Sequence, residues 1–98
     1  MTASVKVTVE ARKDLSEIAR YSEQMWGRKK RNLYLKLIES TFERIANYPS
    51  IGQECNLIRP GYLFFPAGSH LLFYRIADGD VVEIIRILHK SMYVMSRF

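Results

Sequence analysis

Residues 15–38 read LSEIARYSEQMWGRKKRNLYLKLI, and this stretch decides the fold. On both sides of Gly27, apolar residues recur three and four positions apart, which is the spacing of a helix with one buried face. Glycine readily adopts the backbone conformation that follows the last turn of a helix, so Gly27 predicts the end of one helix and the start of the next. Two helices separated by little more than one glycine must fold back on each other as a tight hairpin.

Each predicted helix carries one apolar stripe. The first helix starts near Ala11, and Glu10 and Asp14 lie where carboxylates complement a helix N-terminus. The second helix ends before Pro49, because proline disfavours helical geometry in the residue that precedes it. The stripe residues are Leu15, Ile18, Ala19, Ser22, Met25 and Trp26 in the first helix, and Tyr34, Leu37, Ile38, Thr41, Ile45 and Tyr48 in the second.

Strand patterns flank the hairpin on both sides. Residues 4–9, SVKVTV, alternate valine with polar residues, as in a strand with one buried face. After the loop SIGQECN, strands are predicted at 57–65, 70–77 and 80–88, with a bend at Pro60-Gly61 and turns at Pro66-Ala67-Gly68 and Asp78-Gly79. The last strand is apolar on both faces, so we expect it inside the sheet. Its predicted faces are Val82, Ile84, Arg86 and Leu88 on one side and Val81, Glu83, Ile85, Ile87 and His89 on the other.

The predicted order is β-α-α-β-β-β, an α+β fold in which an antiparallel sheet carries a packed N-terminal helical hairpin. We assign residues 1–98 to a single domain, because a chain of 98 residues buries enough surface for one thin core. The sequence contains no internal repeat, linker or low-complexity segment that would divide it.

Composition excludes several classes of protein. No apolar run approaches the length of a membrane span, and the first residues lack the apolar region of a signal peptide, so we expect a cytoplasmic protein with no membrane partner. The single Cys55 cannot form an internal disulfide, which fits a reducing compartment. Histidine and cysteine do not cluster at metal-ligand spacing, so we expect no metal and no cofactor.

The chain is basic, with a net charge of +5. Such a charge suits a nucleic acid or an acidic protein equally well. Arg28, Lys29, Lys30 and Arg31 stand together at the start of the second helix, where the macrodipole favours anions. This cluster is either a solvated corner or an electrostatic contact with an acidic partner or a phosphate backbone.

The stretch IIRILHKSM, residues 84–92, delivers His89 to the end of the last strand. Histidine titrates in the range that a general acid or base requires, although a strand-end histidine is more often structural. Phosphate loops, nucleophile elbows and zinc-protease motifs do not occur in the sequence. The polar residues that could act together on or near the sheet are Arg59, His70, Arg75, Arg86 and His89.

From Ala11 to Met92, the chain resembles the ParE toxins of the RelE/ParE superfamily, the toxic halves of bacterial toxin–antitoxin pairs. The resemblance rests on the element order together with several short motifs. These motifs are Trp26-Gly27, Arg59-x-Gly61-Tyr62, Gly68-Ser69-His70 followed by Phe73-Tyr74, and Arg86-Ile87-Leu88-His89.

The superfamily implies two different activities. RelE-type members resemble ribonucleases that cut messenger RNA on the ribosome, whereas ParE-type members poison DNA gyrase without catalysis. RelE-like relatives place an arginine after the histidine of the HLLFY strand, and this chain has Leu71 there. We therefore expect no enzymatic activity. A RelE-like ribonuclease is the alternative, and a basic nucleic-acid-binding module is a weaker third, because the aromatic residues fall on core stripes.

The resemblance also implies two partners, a cognate ParD-like antitoxin and DNA gyrase, and it allows a higher-order toxin–antitoxin hetero-oligomer. Segments beyond the final strand are implicated in toxicity in the family, and Tyr93 stands where ParE sequences commonly carry aspartate. The end of the chain is therefore either the target contact or a segment that packs back on the sheet. We predict antitoxin contacts at Leu15, Ile18, Tyr21, Leu33, Arg28 and Arg31, and target contacts at Lys90, Ser91, Met92, Tyr93, Met95, Arg97 and Phe98.

Overall fold

The computed structural model describes residues 3–92 and 97–98. Two helices follow a short first strand, and four further strands follow the helices. The elements are β1 (Ser4–Val7), α1 (Val9–Trp26), α2 (Arg28–Asn47), a 3₁₀ turn (Pro49–Ile51), β2 (Gln53–Glu54), β3 (Leu63–Ala67), β4 (His70–Ala77) and β5 (Val81–His89).

The helical hairpin is confirmed, and one glycine serves both helices. Gly27 has a φ of 88°, which closes α1, and its N–H donates to the carbonyl of Glu23 at 2.9 Å. The carbonyl of Gly27 then accepts the N–H of Arg31 at 3.0 Å, which is the first hydrogen bond of α2. At the other end of α1, the Thr8 hydroxyl accepts the N–H of Ala11 at 3.1 Å and caps the helix.

The sheet has five strands in the order β1-β5-β4-β3-β2. Strands β3 to β5 are antiparallel neighbours, as predicted. The two-residue strand β2 lies in the predicted loop and pairs antiparallel with β3, whereas β1 runs parallel to β5, so the sheet is mixed and not purely antiparallel as predicted. Parallel strands need a long crossover connection, and the helical hairpin with the strands after it provides that connection. The β1 strand thereby places α1 and α2 across one face of the sheet.

One predicted strand begins late. We predicted residues 57–65, but β3 starts at Leu63, and Leu57 is 94% exposed in the preceding turns. Gly61 has a φ of 84°, so the Pro60-Gly61 pair turns the chain before the strand rather than bending it inside. Pro66 belongs to the strand, although we predicted it in a turn. Proline has no backbone N–H to donate, so it is tolerated where one edge of a strand has no neighbour. That is the case at Pro66, because β2 pairs with β3 only at Leu63 and Phe64.

A bulge in β5 changes which side chains share a face. Phe73 pairs with Arg86 while Tyr74 pairs with Ile84, so Ile85 is an extra residue in the ladder. The alternation of side chains between the two faces of a strand therefore predicted the wrong face of the sheet for the residues after Ile85. Val82 and Ile84 share the buried core with Ile87 and not with Arg86 or Leu88.

The core lies between the helical hairpin and one face of the sheet. Tyr74 is fully buried there, and its hydroxyl donates to the carbonyl of Pro49 at 2.7 Å and accepts the N–H of Gly52 at 2.9 Å. The buried residues of the core are Ala3, Ala11, Ile18, Ile38, Ile45, Ala67, Leu72, Tyr74, Val82, Ile84 and Ile87. On the other face, Phe73 and Leu88 are also buried.

Candidate functional site

An apolar groove runs between the two helices at the end of the hairpin near Gly27. Tyr21 and Leu33 are each 61% exposed on its sides, and Trp26 is 59% exposed. Large apolar side chains that remain accessible next to one another mark a surface that a partner covers. The groove residues are Tyr21, Ser22, Trp26, Lys30, Leu33, Tyr34 and Leu37 from the helices, with Ser69, His70 and His89 from the sheet.

The sequence identified part of this groove. Tyr21 and Leu33 were predicted as exposed apolar residues, and the structure confirms their exposure. Trp26 and Leu37 were assigned to buried stripes, which is wrong, because both side chains line the open groove and remain exposed. Met25 and Tyr48 were assigned to the same stripes and are also exposed, and each lies at the end of its helix.

Two residues predicted as antitoxin contacts belong mainly to the core. Ile18 is 8% exposed and packs in the core cluster. Leu15 is partly buried against the same cluster. Their stripe faces the sheet, so Ile18 in particular offers little surface to a partner, and this part of the predicted contact set is corrected.

The basic cluster of residues 28–31 lies at the tip of the hairpin. Glu23 accepts Arg31 at 3.1 Å and lies 3.6 Å from Arg28, so one carboxylate is shared between two guanidinium groups. The Arg28 side chain remains 77% exposed. Lys30 places its Nζ 5.4 Å from the centre of the Trp26 ring, which brings a cation to the edge of the groove. The groove therefore has a basic end.

A polar floor lies below the apolar sides. His70 and His89 occupy paired positions on β4 and β5, and their ring centres are 5.3 Å apart in an edge-to-face arrangement. The Tyr34 hydroxyl lies 2.5 Å from His70 Nδ1. Ser91 Oγ lies 2.7 Å from His89 Nδ1. The sequence placed His70 and His89 among the residues that could act together, and the pairing of β4 with β5 brings these two rings into contact.

Burial keeps His70 neutral. The pKa of His70 is lowered to about 4, first because the ring is withdrawn from water and second because it faces the charge of His89. The charge of Asp14 opposes this shift without cancelling it. At physiological pH, His70 is therefore a neutral ring with one N–H to donate.

Two of the candidate arginines are paired with carboxylates, and one of them, Arg86, lines a hollow next to both histidines. Arg75 donates to Glu83 at 2.7 Å. Arg86 donates to both oxygens of Asp14, at 2.8 and 3.0 Å, and these hydrogen bonds raise the pKa of Arg86 above its usual value. Asp14 also accepts the backbone N–H of Ile87 at 2.9 Å, so it joins α1 to the edge of β5 where β1 has ended.

The residues predicted to contact the target are divided between two places. Lys90, Ser91 and Met92 follow β5 directly and are exposed. The Lys90 N–H donates to the carbonyl of Ser69 at 3.0 Å, and the Met92 N–H donates to the carbonyl of His89 at 2.9 Å, so the base of this segment is fixed. Tyr93 and Met95 lie outside the described residues.

Arg97 and Phe98 lie on the sheet face that the helices do not cover. The Phe98 ring packs against Phe73 and Tyr62, with ring centres 5.1 and 5.8 Å apart. The carbonyl of Arg97 accepts a hydrogen bond from Arg86 Nη1 at 2.8 Å. In this structure these two residues pack back on the sheet.

The described residues give no sign of a metal site or a membrane span. Within residues 3–92 and 97–98, no three side chains of histidine, cysteine, aspartate or glutamate are grouped as a metal site would require. None of the helices in the described part of the chain is long and apolar enough to span a membrane.

Residues 5–93 match the family described as the ParE toxin of the type II toxin–antitoxin system parDE. Toxin ParE1 of Caulobacter vibrioides is 45% identical over 82 residues, which cover 84% of this chain and 83% of that protein. Toxin ParE1 of Mycobacterium tuberculosis is 35% identical over 94 residues, which cover 96% of each chain. The match extends over both helices and all five strands.

Two solved structures share the fold. A chain of the chromosomal ParDE system from P. aeruginosa superposes with a TM-score of 0.76 at 20% identity, over 90% of this chain and 96% of that chain. A chain of the RelBE2 toxin–antitoxin complex from Mycobacterium tuberculosis superposes with a TM-score of 0.67 at 23% identity, over 92% of this chain and 100% of that chain. At these identities the likeness concerns the fold alone.

Proposed function

This chain belongs to the ParE family of toxins from type II toxin–antitoxin systems, and we propose that it inhibits DNA gyrase by binding, without catalysis, until a ParD-like antitoxin neutralises it. Relatives that are 45% and 35% identical carry the name ParE1, and a structure of the same fold comes from a ParDE system, which supports a ParD-like partner. Both encounters would take place in the cytoplasm.

The engagement of the arginines carries the non-catalytic proposal. Phosphoryl transfer needs a cation free to stabilise charge on the phosphate in the transition state. Arg86 donates three of its five N–H groups to Asp14 and to the carbonyl of Arg97, and Arg75 is paired with Glu83. Leu71 stands where the resemblance to nucleases requires an arginine. With both arginines engaged by carboxylates and no arginine at position 71, the two histidines are a weak nuclease site.

The histidine pair nevertheless favours a second candidate, a RelE-like ribonuclease that acts on the ribosome. His70 and His89 lie close enough to act as a base and an acid on one substrate, and Lys30 lines the same groove. Lys30 could supply the positive charge only if RNA displaced its contact with Trp26. We therefore keep this activity as the alternative that the first experiment must exclude.

The groove is the surface that we propose for the antitoxin. An amphipathic helix of the antitoxin would lay its apolar face on Tyr21, Trp26 and Leu33, in the manner of other helix-in-groove complexes. Acidic residues on that helix would approach the basic end formed by residues 28–31 and would speed association at low salt. Arg28 and Arg31 thus remain predicted antitoxin contacts, as do Tyr21 and Leu33, and the complex would be a toxin–antitoxin hetero-oligomer.

The segment after β5 is the surface that we propose for gyrase. Its base is fixed by the backbone hydrogen bonds of Lys90 and Met92, and methionine is an adaptable apolar anchor. Lys90 and Arg97 would add attraction to an enzyme that holds DNA. The proposed contacts are Lys90, Ser91, Met92, Tyr93, Met95, Arg97 and Phe98.

Two assays run in parallel test the proposal. Purified toxin should inhibit DNA supercoiling by gyrase in proportion to the amount of toxin added, because inhibition depends on occupancy and not on turnover. Preincubation with the antitoxin encoded beside it should restore supercoiling. In a translating extract, the same toxin should leave message ends intact when they are mapped by primer extension.

Discrete cuts within codons would establish the ribonuclease instead, and His89→Ala should then abolish them. If the toxin stops growth while both supercoiling and message remain intact, the target is a different one and the gyrase assignment fails.

A further inference from the structure

The floor of the groove contains two imidazole rings whose protonation can be assigned from their neighbours. The backbone N–H of Ser69 donates to the Tyr34 hydroxyl oxygen at 3.0 Å, so the hydroxyl hydrogen is free to point elsewhere. His70 Nδ1 lies 2.5 Å from this hydroxyl, whereas the carbonyl of Ala67 is 3.4 Å away. We assign the shorter of these two contacts as the one in which the Tyr34 hydroxyl donates, so His70 Nδ1 is an acceptor and the single ring proton of neutral His70 lies on Nε2.

His89 is assigned in the same way. The backbone N–H of Ser91 donates to His89 Nδ1 at 3.1 Å, which identifies Nδ1 as an acceptor. The Ser91 hydroxyl lies 2.7 Å from the same nitrogen and can donate to it. In the neutral ring the proton then lies on Nε2. In both histidines, Nδ1 therefore accepts hydrogen bonds from neighbouring residues, and the N–H group available as a donor is at Nε2.

These two donors have no partner within the described chain. Tyr34 and Ser91 satisfy the Nδ1 atoms, and neither Nε2 atom makes a hydrogen bond to any residue in the ranges 3–92 and 97–98. Both rings are half-buried at the bottom of an otherwise apolar groove. A partner that covers the groove without offering an acceptor would leave buried N–H groups unsatisfied, which is costly.

We propose that His70 and His89 recognise a carboxylate of the antitoxin by donating hydrogen bonds from their Nε2–H groups. This carboxylate belongs to an aspartate or glutamate on the helix that fills the groove. This inference rests on the proposed function, because it assumes that the groove is the antitoxin site. A carboxylate has two oxygens that only accept, so one group can satisfy both donors at once. Such charge-assisted hydrogen bonds are shorter and stronger than neutral ones.

The surrounding charges and surfaces favour a protein carboxylate over a nucleic-acid phosphate. Lys30 lines the groove on the side of α2, whereas Asp14 and Glu17 line the neighbouring hollow on the side of α1. The carboxylate would therefore approach from the side of Lys30. The exposed sides of the groove are Tyr21, Trp26 and Leu33, which a leucine-rich helix covers and a phosphate backbone does not. Recognition of a phosphate is the competing outcome.

Titration calorimetry with the antitoxin encoded beside the toxin tests the proposal. His89→Phe removes the donor and keeps a ring of similar size, and affinity should fall by about tenfold, as expected for a lost hydrogen bond to a charged group. His89→Gln keeps an N–H donor near the position of Nε2 and should retain most of the affinity. Unchanged affinity of His89→Phe would overturn the proposal.

A scan of the antitoxin identifies the acid. Each aspartate is changed to asparagine and each glutamate to glutamine, and one substitution should weaken binding by about tenfold to wild-type toxin but have little effect on His89→Phe toxin. If every acidic residue of the antitoxin has the same effect on binding to wild-type and His89→Phe toxin, the histidines do not bind a carboxylate. Nitrogen NMR of the imidazole rings should show the Nε2–H tautomer for both histidines in free toxin, and the Nδ1–H tautomer in either ring would contradict the assignment.

A short single-stranded RNA serves as the second probe. Binding of this RNA that is lost in His89→Phe would overturn the proposal in favour of a phosphate. Tyr21→Glu and Leu33→Glu separate this inference from the proposed function. If these variants bind the antitoxin normally, the groove itself is wrong; if they weaken binding while His89→Phe does not, the groove stands and only the carboxylate is excluded.

Discussion

The two faces of the sheet are both buried, but by different means. On one face, Tyr74 and Ile84 lie under α1 and α2, whose 18 and 20 residues form a continuous cover. On the other face, Phe73 is equally buried, yet Phe98 packs on it from a segment that follows the last strand. The helices can uncover the first face only if the protein unfolds. On the second face, another apolar group can replace the Phe98 ring without unfolding. The helix-covered face therefore serves stability, and the opposite face can also serve recognition.

Removing residues 93–98 should distinguish most clearly between antitoxin binding at the groove and gyrase inhibition by the segment after β5. The truncated toxin keeps the groove and the Ser91 contact with His89, so affinity for the antitoxin should stay within about twofold of wild type. Inhibition of gyrase and of growth should be lost, because four of the seven proposed target contacts, Tyr93, Met95, Arg97 and Phe98, are gone. Gyrase supercoiling and calorimetry measure the two effects on the same preparation. Full toxicity of the truncated chain would refute the target contact.

Asp14→Ala should produce the largest loss of stability, because Asp14 links the two faces. Its carboxylate accepts two hydrogen bonds from Arg86 and one from the backbone of Ile87, and the Asp14 side chain is only 10% exposed. Removing one partner of a largely buried pair costs about 3–5 kcal/mol in the free energy of unfolding. Urea unfolding monitored by circular dichroism measures it. Glu83→Gln, which breaks the more exposed pair with Arg75, is the control and should cost less than about 1 kcal/mol.

Tyr21→Glu tests the helix-side groove alone. A charge among the exposed apolar residues should weaken antitoxin binding at least tenfold, about 1.4 kcal/mol, without changing gyrase inhibition. Tyr48→Glu is a matched control, because Tyr48 is exposed at the far end of α2 and does not line the groove. Equal affinities of the two variants in a calorimetric titration would place the interface elsewhere.

The smallest effect concerns pH. His70 has a pKa of about 4 in the folded chain, below the value of about 6.5 that it has when unfolded, so the unfolded state binds more protons between these values. The contribution of His70 is complete above pH 6.5 and is lost as the pH falls towards 4. Because the ring is only partly buried, solvent screening reduces this contribution to about 1 kcal/mol. His70→Asn should remove this part of the pH dependence of unfolding, and an unchanged profile would show that His70 is not protonated on unfolding.

The hairpin was predictable because its signals are local. Gly27 and Pro49 each act on the residues next to them, and the apolar spacing on both sides of Gly27 needs no knowledge of the sheet. The strand at 70–77 was predicted with its observed bounds, since Asp78-Gly79 is a turn signal of the same local kind.

The bulge and the histidine pair were not predictable from local signals. Ile85 fits a two-residue alternation in the sequence, and only its pairing with β4 shows that it is extra. That same register sets His70 opposite His89, although they are 19 positions apart in the sequence. The exposure of Trp26 depends on which parts of the helices the sheet covers, and the helix pattern alone does not record this.

The parallel pairing of β1 with β5 has a consequence for the order in which the chain can fold during synthesis. Ser4 pairs with Val81, so β1 can pair with β5 only after nearly the whole chain has been synthesised. The hairpin can form when residues 9–47 have emerged, because its contacts are near in sequence. His89 and the segment after it come last, so the toxin acquires the proposed groove floor and the proposed target contact in the same final step. A ribosome-stalled chain that exposes only residues 1–80 should be cleaved readily by a protease, and resistance equal to that of the complete chain would show that β5 is not needed to close the fold.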